Sequence, residues 1–154
     1  EALVFSQERA DIVFGLLEYR KALHESGIST GFQWLDGSFL ENVEDIESRP
    51  PNDIDVVTFF ELPVGQDQNT YWGNHGALFD PVHTKKNYSV AAYPFVPRQV
   101  VTEQVIRMTS YWYSMWSHRR DGIWKGFVQV VLDPDADITT HALLSQKAAN
   151  GFEQ

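Results

Sequence analysis

Apolar residues recur at helical spacing near the start of the chain, where Ile12, Val13, Leu16, Leu17 and Leu23 share one side of a predicted helix. Ser6 precedes it as an N-cap, Glu8 lies in the first turn, and Gly27 marks its end. The pattern becomes strand-like over 32–35 and stops at Gly37 and Ser38. Residues 41–49 are acidic and run into Pro50 and Pro51, so an exposed loop or short helix is expected there, the natural place for an insertion. Residues 53–62, rich in β-branched and aromatic side chains, predict a second strand closed by Pro63 and Gly65. Residues 71–80, with Gly73 and Gly76 inside, make a weak helix at best.

Alternation returns over 88–95, with Tyr88, Val90, Ala92 and Pro94 on one face and Ser89, Ala91, Tyr93 and Phe95 on the other; Pro94 belongs at an end or an edge. Thr102 opens the clearest second helix, whose stripe of Val105, Met108, Trp112, Met115 and Trp116 ends in His118, Arg119 and Arg120, cations suited to a helix C-terminus. A further strand is predicted over 125–132 and a C-terminal helix over 135–149, carrying Ile138, Ala142, Leu143 and Leu144. The order α-β-(loop)-β-(α)-β-α-β-α describes an α+β fold, a small central mixed sheet flanked by helices.

Composition narrows the function. With 154 residues, 43% of them hydrophobic, the chain is expected to form one domain over residues 1–154. No apolar run approaches the ~20 residues of a membrane helix. Cysteine is absent, which excludes disulfides and thiolate metal sites and makes the cytoplasm the default compartment. A first residue other than Met is expected of a trimmed or processed chain. The formal charge of −9 argues against broad capture of a long nucleic-acid duplex and leaves a small ligand, a protein partner or a locally contacted RNA end. No Ser-His-Asp ordering, P-loop or G-x-G-x-x-G run is present.

The informative chemistry lies in two short segments. Successive strand residues alternate faces, so Asp53 and Asp55 point the same way and leave Ile54 and Val56 to the core. Oxygen ligands suit Mg²⁺, and two metals ~3.5–4 Å apart can serve both ends of an in-line phosphoryl displacement. Gly37 lets backbone approach phosphates closely, and Ser38 offers an amide and a hydroxyl at a turn.

Other candidates carry competing readings. Asp36 either caps the turn or orients Ser38. Lys125, ahead of Gly126, either faces a phosphate or is an ordinary exposed strand-end lysine. His118, Arg119 and Arg120 either complement the helix end or meet a triphosphate or RNA terminus. Trp112, Trp116 and Trp124 can stack a base, although helical spacing favours the core for the first two. His75, His83 and Asp80 match no familiar metal-ligand spacing.

Gly37 and Ser38, followed by Pro51, Asn52, Asp53, Ile54, Asp55, Val56 and Val57, resemble the signature of the polymerase-β-type nucleotidyltransferase superfamily. More narrowly, Trp34, Asp36, Phe39, Lys125 and Gly126 are similar to an uncharacterised small bacterial branch reading W-x-D-G-S-F, then P-N-D-I-D-V-V, then a late Lys-Gly. The resemblance covers about residues 30–132. It implies a nucleotidyltransferase-like sheet and Mg²⁺-dependent transfer of NMP from an NTP to a protein side-chain hydroxyl or an RNA or tRNA end. In this reading Asp53 and Asp55 hold metal, while Gly37, Ser38 and Lys125 bind the triphosphate.

Bacterial relatives place such enzymes in toxin–antitoxin or phage-defence systems, often with a cognate partner protein. The fifteen positions from Ser38 to Asp53 exceed the minimal spacing, and the acidic 41–49 segment accounts for the excess. A third carboxylate, needed to complete a two-metal site, is expected on the next strand. That stretch holds no acid, and Ala91 is the preferred equivalent, with Ala92 as the other register. The chain is therefore expected to be inactive in transfer, or to be an inert protein-interaction or nucleotide-sensing module of the same fold.

Overall fold

The computed structural model describes residues 3–97, 102–119 and 121–152. Its elements run α1 (Gln7–Glu25), β1 (Phe32–Asp36), α2 (Val43–Glu47), β2 (Ile54–Phe59), α3 (Gln68–His75), α4 (Pro81–Tyr88), β3 (Val90–Phe95), α5 (Glu103–Trp116), β4 (Val128–Val131) and α6 (Pro134–Asn150), with short 3-10 turns at Ser38–Leu40 and Gly76–Phe79. The strands form one sheet in the order β3-β2-β1-β4. β1 is antiparallel to both β2 and β4, whereas β2 and β3 are parallel and joined through α3 and α4. The fold is α+β, a mixed four-stranded sheet flanked among the described residues by six helices.

The two faces of the sheet have different partners. Leu35, Ile54, Val56, Val90 and Ala92 pack beneath Ile12, Leu16, Tyr19 and Leu23 of α1, with Tyr71 and Phe79 closing the end. On the opposite face Val57, Phe59 and Phe95 meet Trp116 of α5, with Phe32, Trp34, Tyr93, Trp112 and Phe127 around them. This alternation follows directly from the period of two in β2.

Polar groups also tie the layers together. Arg20 of α1 donates to both carboxylate oxygens of Asp137 on α6 at 2.8 Å and to Gln33, which in turn donates to Thr58 on β2. α1 and α4 cross so closely that a Cβ at Gly15 would lie 2.0 Å from the Tyr88 carbonyl oxygen. No helix among the described residues is long and apolar enough to cross a membrane.

Several boundaries differ from the sequence expectations. Residues 81–88 form α4, not foreseen as a helix; Asp80 caps it by accepting the Val82 N–H at 2.9 Å, and Pro81 occupies its first turn. Tyr88 therefore ends a helix, and Ser89, at φ 55°, turns the chain before β3 begins at Val90. The strand expected over 125–132 is only Val128–Val131, because the residues before it are held in a separate bridge between His118 and Trp124. Residues 71–80 are more regular than expected, with α3 capped by Asp67.

Met115, expected on the buried stripe of α5, is exposed, as are Ile138, Ala142 and Leu143 of α6. α6 instead docks through Asp137 and Leu144. Arg120 lies outside the described residues.

Candidate functional site

The register of three strands creates the central feature. Asp36 pairs with Asp55 across β1 and β2, and Asp55 pairs with Ala91 across β2 and β3. Side chains paired across a ladder share a face, so Asp36, Asp55 and Ala91 form one row at the end of the sheet. This is the face of Val57 and Phe59, but the row lies beyond the aromatic cluster that α5 covers. Asp53 lies just before β2, two residues ahead of Asp55, where strand alternation sets it to the same side. It is ion-paired with Lys85 of α4.

Gly37 follows Asp36 and opens the 3-10 turn, with its carbonyl accepting the Leu40 N–H at 3.2 Å. Its φ of 90° with ψ near 180° is a conformation that glycine alone adopts readily. A Cβ there would lie 2.7 Å from the Asp55 carboxylate. Backbone and carboxylate are thus in van der Waals contact, which fixes Ser38 beside the acidic row.

A cation missed in the sequence reading holds this turn from below. Arg9, fully buried, donates to the carbonyl oxygens of Phe39 at 2.8 Å and Glu41 at 2.6 Å and forms a paired contact with both oxygens of Glu44 at 2.7 and 2.8 Å. Guanidinium geometry suits such a fork. The segment expected to be an exposed loop or short helix holds the short helix α2, and it is tied to α1 through Arg9, with Val43 buried beneath it. The available signal was position: Arg9 stands three residues before Ile12, on the apolar stripe of α1.

Lys125 is neither an exposed lysine nor part of a strand. Its ammonium lies 2.9 Å from Asp36 and 3.1 Å from Glu41, and Glu41 also pairs with Arg119 at 3.1 Å. Burial pushes the Asp36 carboxyl above its usual range, and the nearby Asp55 charge adds to this, while Lys125 and the Gly37 N–H oppose it. Tyr93, two residues beyond Ala91, has its phenol pushed up by burial and then by the Asp55 charge. Asp36 thus serves as the anchor of Lys125 in addition to flanking the turn.

Two open clefts border the row. On the β3 side, Pro81, Val82, Lys85, Lys86, Ala91 and Tyr93 line about 510 Å³. On the β4 side, Tyr113, Ser117, Trp124, Lys125, Gly126 and Phe127 line about 440 Å³. Both fall in the range of small-ligand sites.

The structure thus brings together Gly37, Ser38, Asp53, Asp55 and Ala91, with Lys125 reaching the row from the far side. It does not gather the histidines: His75 packs against Tyr71, and His118 packs against Trp124. Trp116 is core, as expected. No group of three or more His, Asp or Glu that can hold a metal ion occurs among the described residues. The donor set is the two carboxylates Asp53 and Asp55, because Asp36 is held by Lys125; a cation at Asp53 would take the place of the Lys85 ammonium. That set suits Mg²⁺, which is commonly held by one or two carboxylates together with substrate phosphates. It falls one acid short of a two-metal site, and Ala91 occupies the adjoining place.

Fold and site together define an α+β protein with a glycine-serine turn packed on paired strand-end carboxylates. The chain belongs to DUF6932, a family of unknown function, whose model matches residues 1–131. The match ends at the last residue of β4, so α6 lies beyond it. No curated protein and no solved structure matches the chain.

Proposed function

We propose that this chain is a nucleotidyltransferase-type module that binds a magnesium nucleoside triphosphate at the acidic row, with transfer crippled by alanine at position 91. The observation that carries the reading is the register Asp36–Asp55–Ala91, with Gly37 packed on the Asp55 carboxylate. Asp53 and Asp55 would hold Mg²⁺, and the backbone at Gly37 and Ser38 would meet the phosphates. Bound there, the metal would neutralise phosphate oxygens and favour departure of pyrophosphate.

An Asp at position 91 would stand beside Asp55 and face the lysine-lined cleft. From there its carboxylate would accept the proton of an acceptor hydroxyl as that oxygen bonds to the α-phosphorus and the bond to pyrophosphate breaks. The acceptor class is a protein side-chain hydroxyl or an RNA or tRNA end. Lys85 and Lys86 on the cleft wall suit an anionic acceptor met through few contacts, whereas the net charge of −9 disfavours a long duplex. By the resemblance, the setting is the bacterial cytoplasm and a toxin–antitoxin or phage-defence system.

A second reading follows from Ala91 itself: an inert module of this fold that senses nucleotide or docks a cognate partner protein. Calorimetry with Mg²⁺ and each of the four NTPs separates nucleotide binding, whether by a crippled enzyme or a sensor, from pure docking. The nucleotide-binding reading expects metal-dependent heat that Asp53→Ala removes. A well-folded wild-type chain showing no Mg²⁺-dependent binding of any NTP would refute it in favour of a pure docking module.

A further inference from the structure

Trp124 is 70% exposed, yet it is fixed in place. A bridge joins it to His118, whose ring centroid lies 4.5 Å away, and the flanking backbone is closed by Arg119 N–H to Ile123 at 2.7 Å and Lys125 N–H to Ser117 at 2.9 Å. The next residue, Lys125, is locked to Asp36 and Glu41. A large apolar ring presented in the open on hydrogen-bonded backbone is a stacking surface for a flat partner.

The surroundings specify that partner. Tyr113 and Phe127 share the cleft with Trp124, their rings edge to face at 5.7 Å, and Phe127 packs on Trp34 at 4.6 Å, which places it on the face of the acidic row. Leu35 pairs with Val128, so Phe127 adjoins Asp36 at the next position of the same register. From Asp55 to the β4 side is two strand spacings, about 10 Å. The ribose and phosphates of a nucleotide can bridge that distance. The opposite cleft presents two lysines and a single aromatic ring, so it offers charge where this one offers faces.

We propose that the cleft of Tyr113, Trp124 and Phe127 seats the base of the nucleotide whose phosphates meet Gly37, Ser38, Asp53 and Asp55. The inference rests on the nucleotide-binding reading above and deepens it by assigning the base. Stacking on aromatic faces tolerates any base, so the site is expected to bind all four NTPs with modest preference. Ser117 and Lys125 at the cleft wall supply the polar edge.

The test uses the full chain, Mg²⁺, each NTP, and inorganic tripolyphosphate as a probe without a base. Tryptophan fluorescence and calorimetry report binding, and circular dichroism checks folding of Trp124→Ala and Tyr113→Ala. Either substitution is expected to weaken NTP binding on the order of tenfold while leaving tripolyphosphate binding unchanged. Unchanged NTP affinity in both variants, with binding still abolished by Asp53→Ala, would overturn the base assignment and leave the phosphate site standing. Equal weakening of NTP and tripolyphosphate would also overturn it, as would unchanged NTP affinity accompanied by loss of a dimer in Trp124→Ala, which would assign the ring to self-association. Failure of the wild-type chain to bind either probe would remove the nucleotide reading and this inference together.

Discussion

Replacing Gly37 by alanine probes the join between turn and carboxylate. Two costs add. The backbone at φ 90° and ψ −172° lies in a region that side chains avoid, a penalty of about 1–3 kcal/mol. The new methyl would sit 2.7 Å from Asp55 Oδ2 and 3.2 Å from the Asp55 backbone nitrogen. The nitrogen belongs to a paired strand and cannot yield without breaking the register of Asp36 with Asp55, so the carboxylate must swing away. Overpacking of this kind adds about 1–3 kcal/mol. Gly37→Ala should therefore lose about 2–6 kcal/mol in urea unfolding at unchanged m-value, together with Mg²⁺-dependent NTP binding. Gly126→Ala is the matched control, because a Cβ there meets nothing within 4 Å. A Gly37→Ala chain as stable as Gly126→Ala, binding Mg²⁺·NTP like wild type, would refute the claim that the turn and Asp55 form one unit.

Arg9→Met strips the clamp beneath the turn and leaves Glu44 and the carbonyls of Leu3, Phe39 and Glu41 without their partner; a loss of about 3–5 kcal/mol is expected by chemical denaturation, and a loss below 1 kcal/mol would contradict the clamp. Arg9 also holds the Glu44 carboxyl below its usual value of 4.5 through their hydrogen bond. Because the folded-state pKa is depressed, this stabilisation is present above the unfolded value and fades as pH falls through the folded one; Glu44→Gln should flatten the acid limb of stability against pH, and an unchanged limb would count against the pair. Ala91→Asp places a third carboxylate beside Asp55 at a buried position, so stability in metal-free buffer should fall by about 1–3 kcal/mol, recover in part with Mg²⁺, and be accompanied by metal-dependent pyrophosphate release with an acceptor. Destabilisation that Mg²⁺ does not reverse would place residue 91 outside the metal's reach.

Much of the fold was legible because its signals are local. Ser6 and Thr102 cap α1 and α5 as their positions before apolar stripes imply, accepting from Arg9 and Val105. β2 announces itself by a run of β-branched residues that alternates around Asp55 and Val57. α4 was missed although Asp80 and Pro81 form a sound helix start, because the alternation from Tyr88 onward drew attention to the strand instead. The exposure of Met115 and Leu143 was invisible to periodicity, which marks a stripe but not the width that a neighbour covers.

At the site, Gly37, Ser38, Asp53 and Asp55 could be grouped from sequence, since each segment is short and its chemistry intrinsic. The partners of those residues could not. Lys85 reaches Asp53 only because α4 packs beside β3, and Lys125 reaches Asp36 across 89 positions through the bridge that carries Trp124. In the sequence Arg9 is one charge among several on α1; its role exists only once the turn folds over it.

The central claim is that the end of the acidic row holds a metal-bound nucleotide, and paramagnetic Mn²⁺ tests it by location. Mn²⁺ accepts the same oxygen ligands as Mg²⁺ and broadens the amide resonances of nearby residues. Titrated with an NTP into the ¹⁵N-labelled chain, it is expected to broaden Gly37, Ser38, Asp53, Asp55 and Ala91 while sparing α6, and to do so far less in Asp53→Ala. Broadening that is centred elsewhere, or that ignores both the nucleotide and Asp53, would contradict the account.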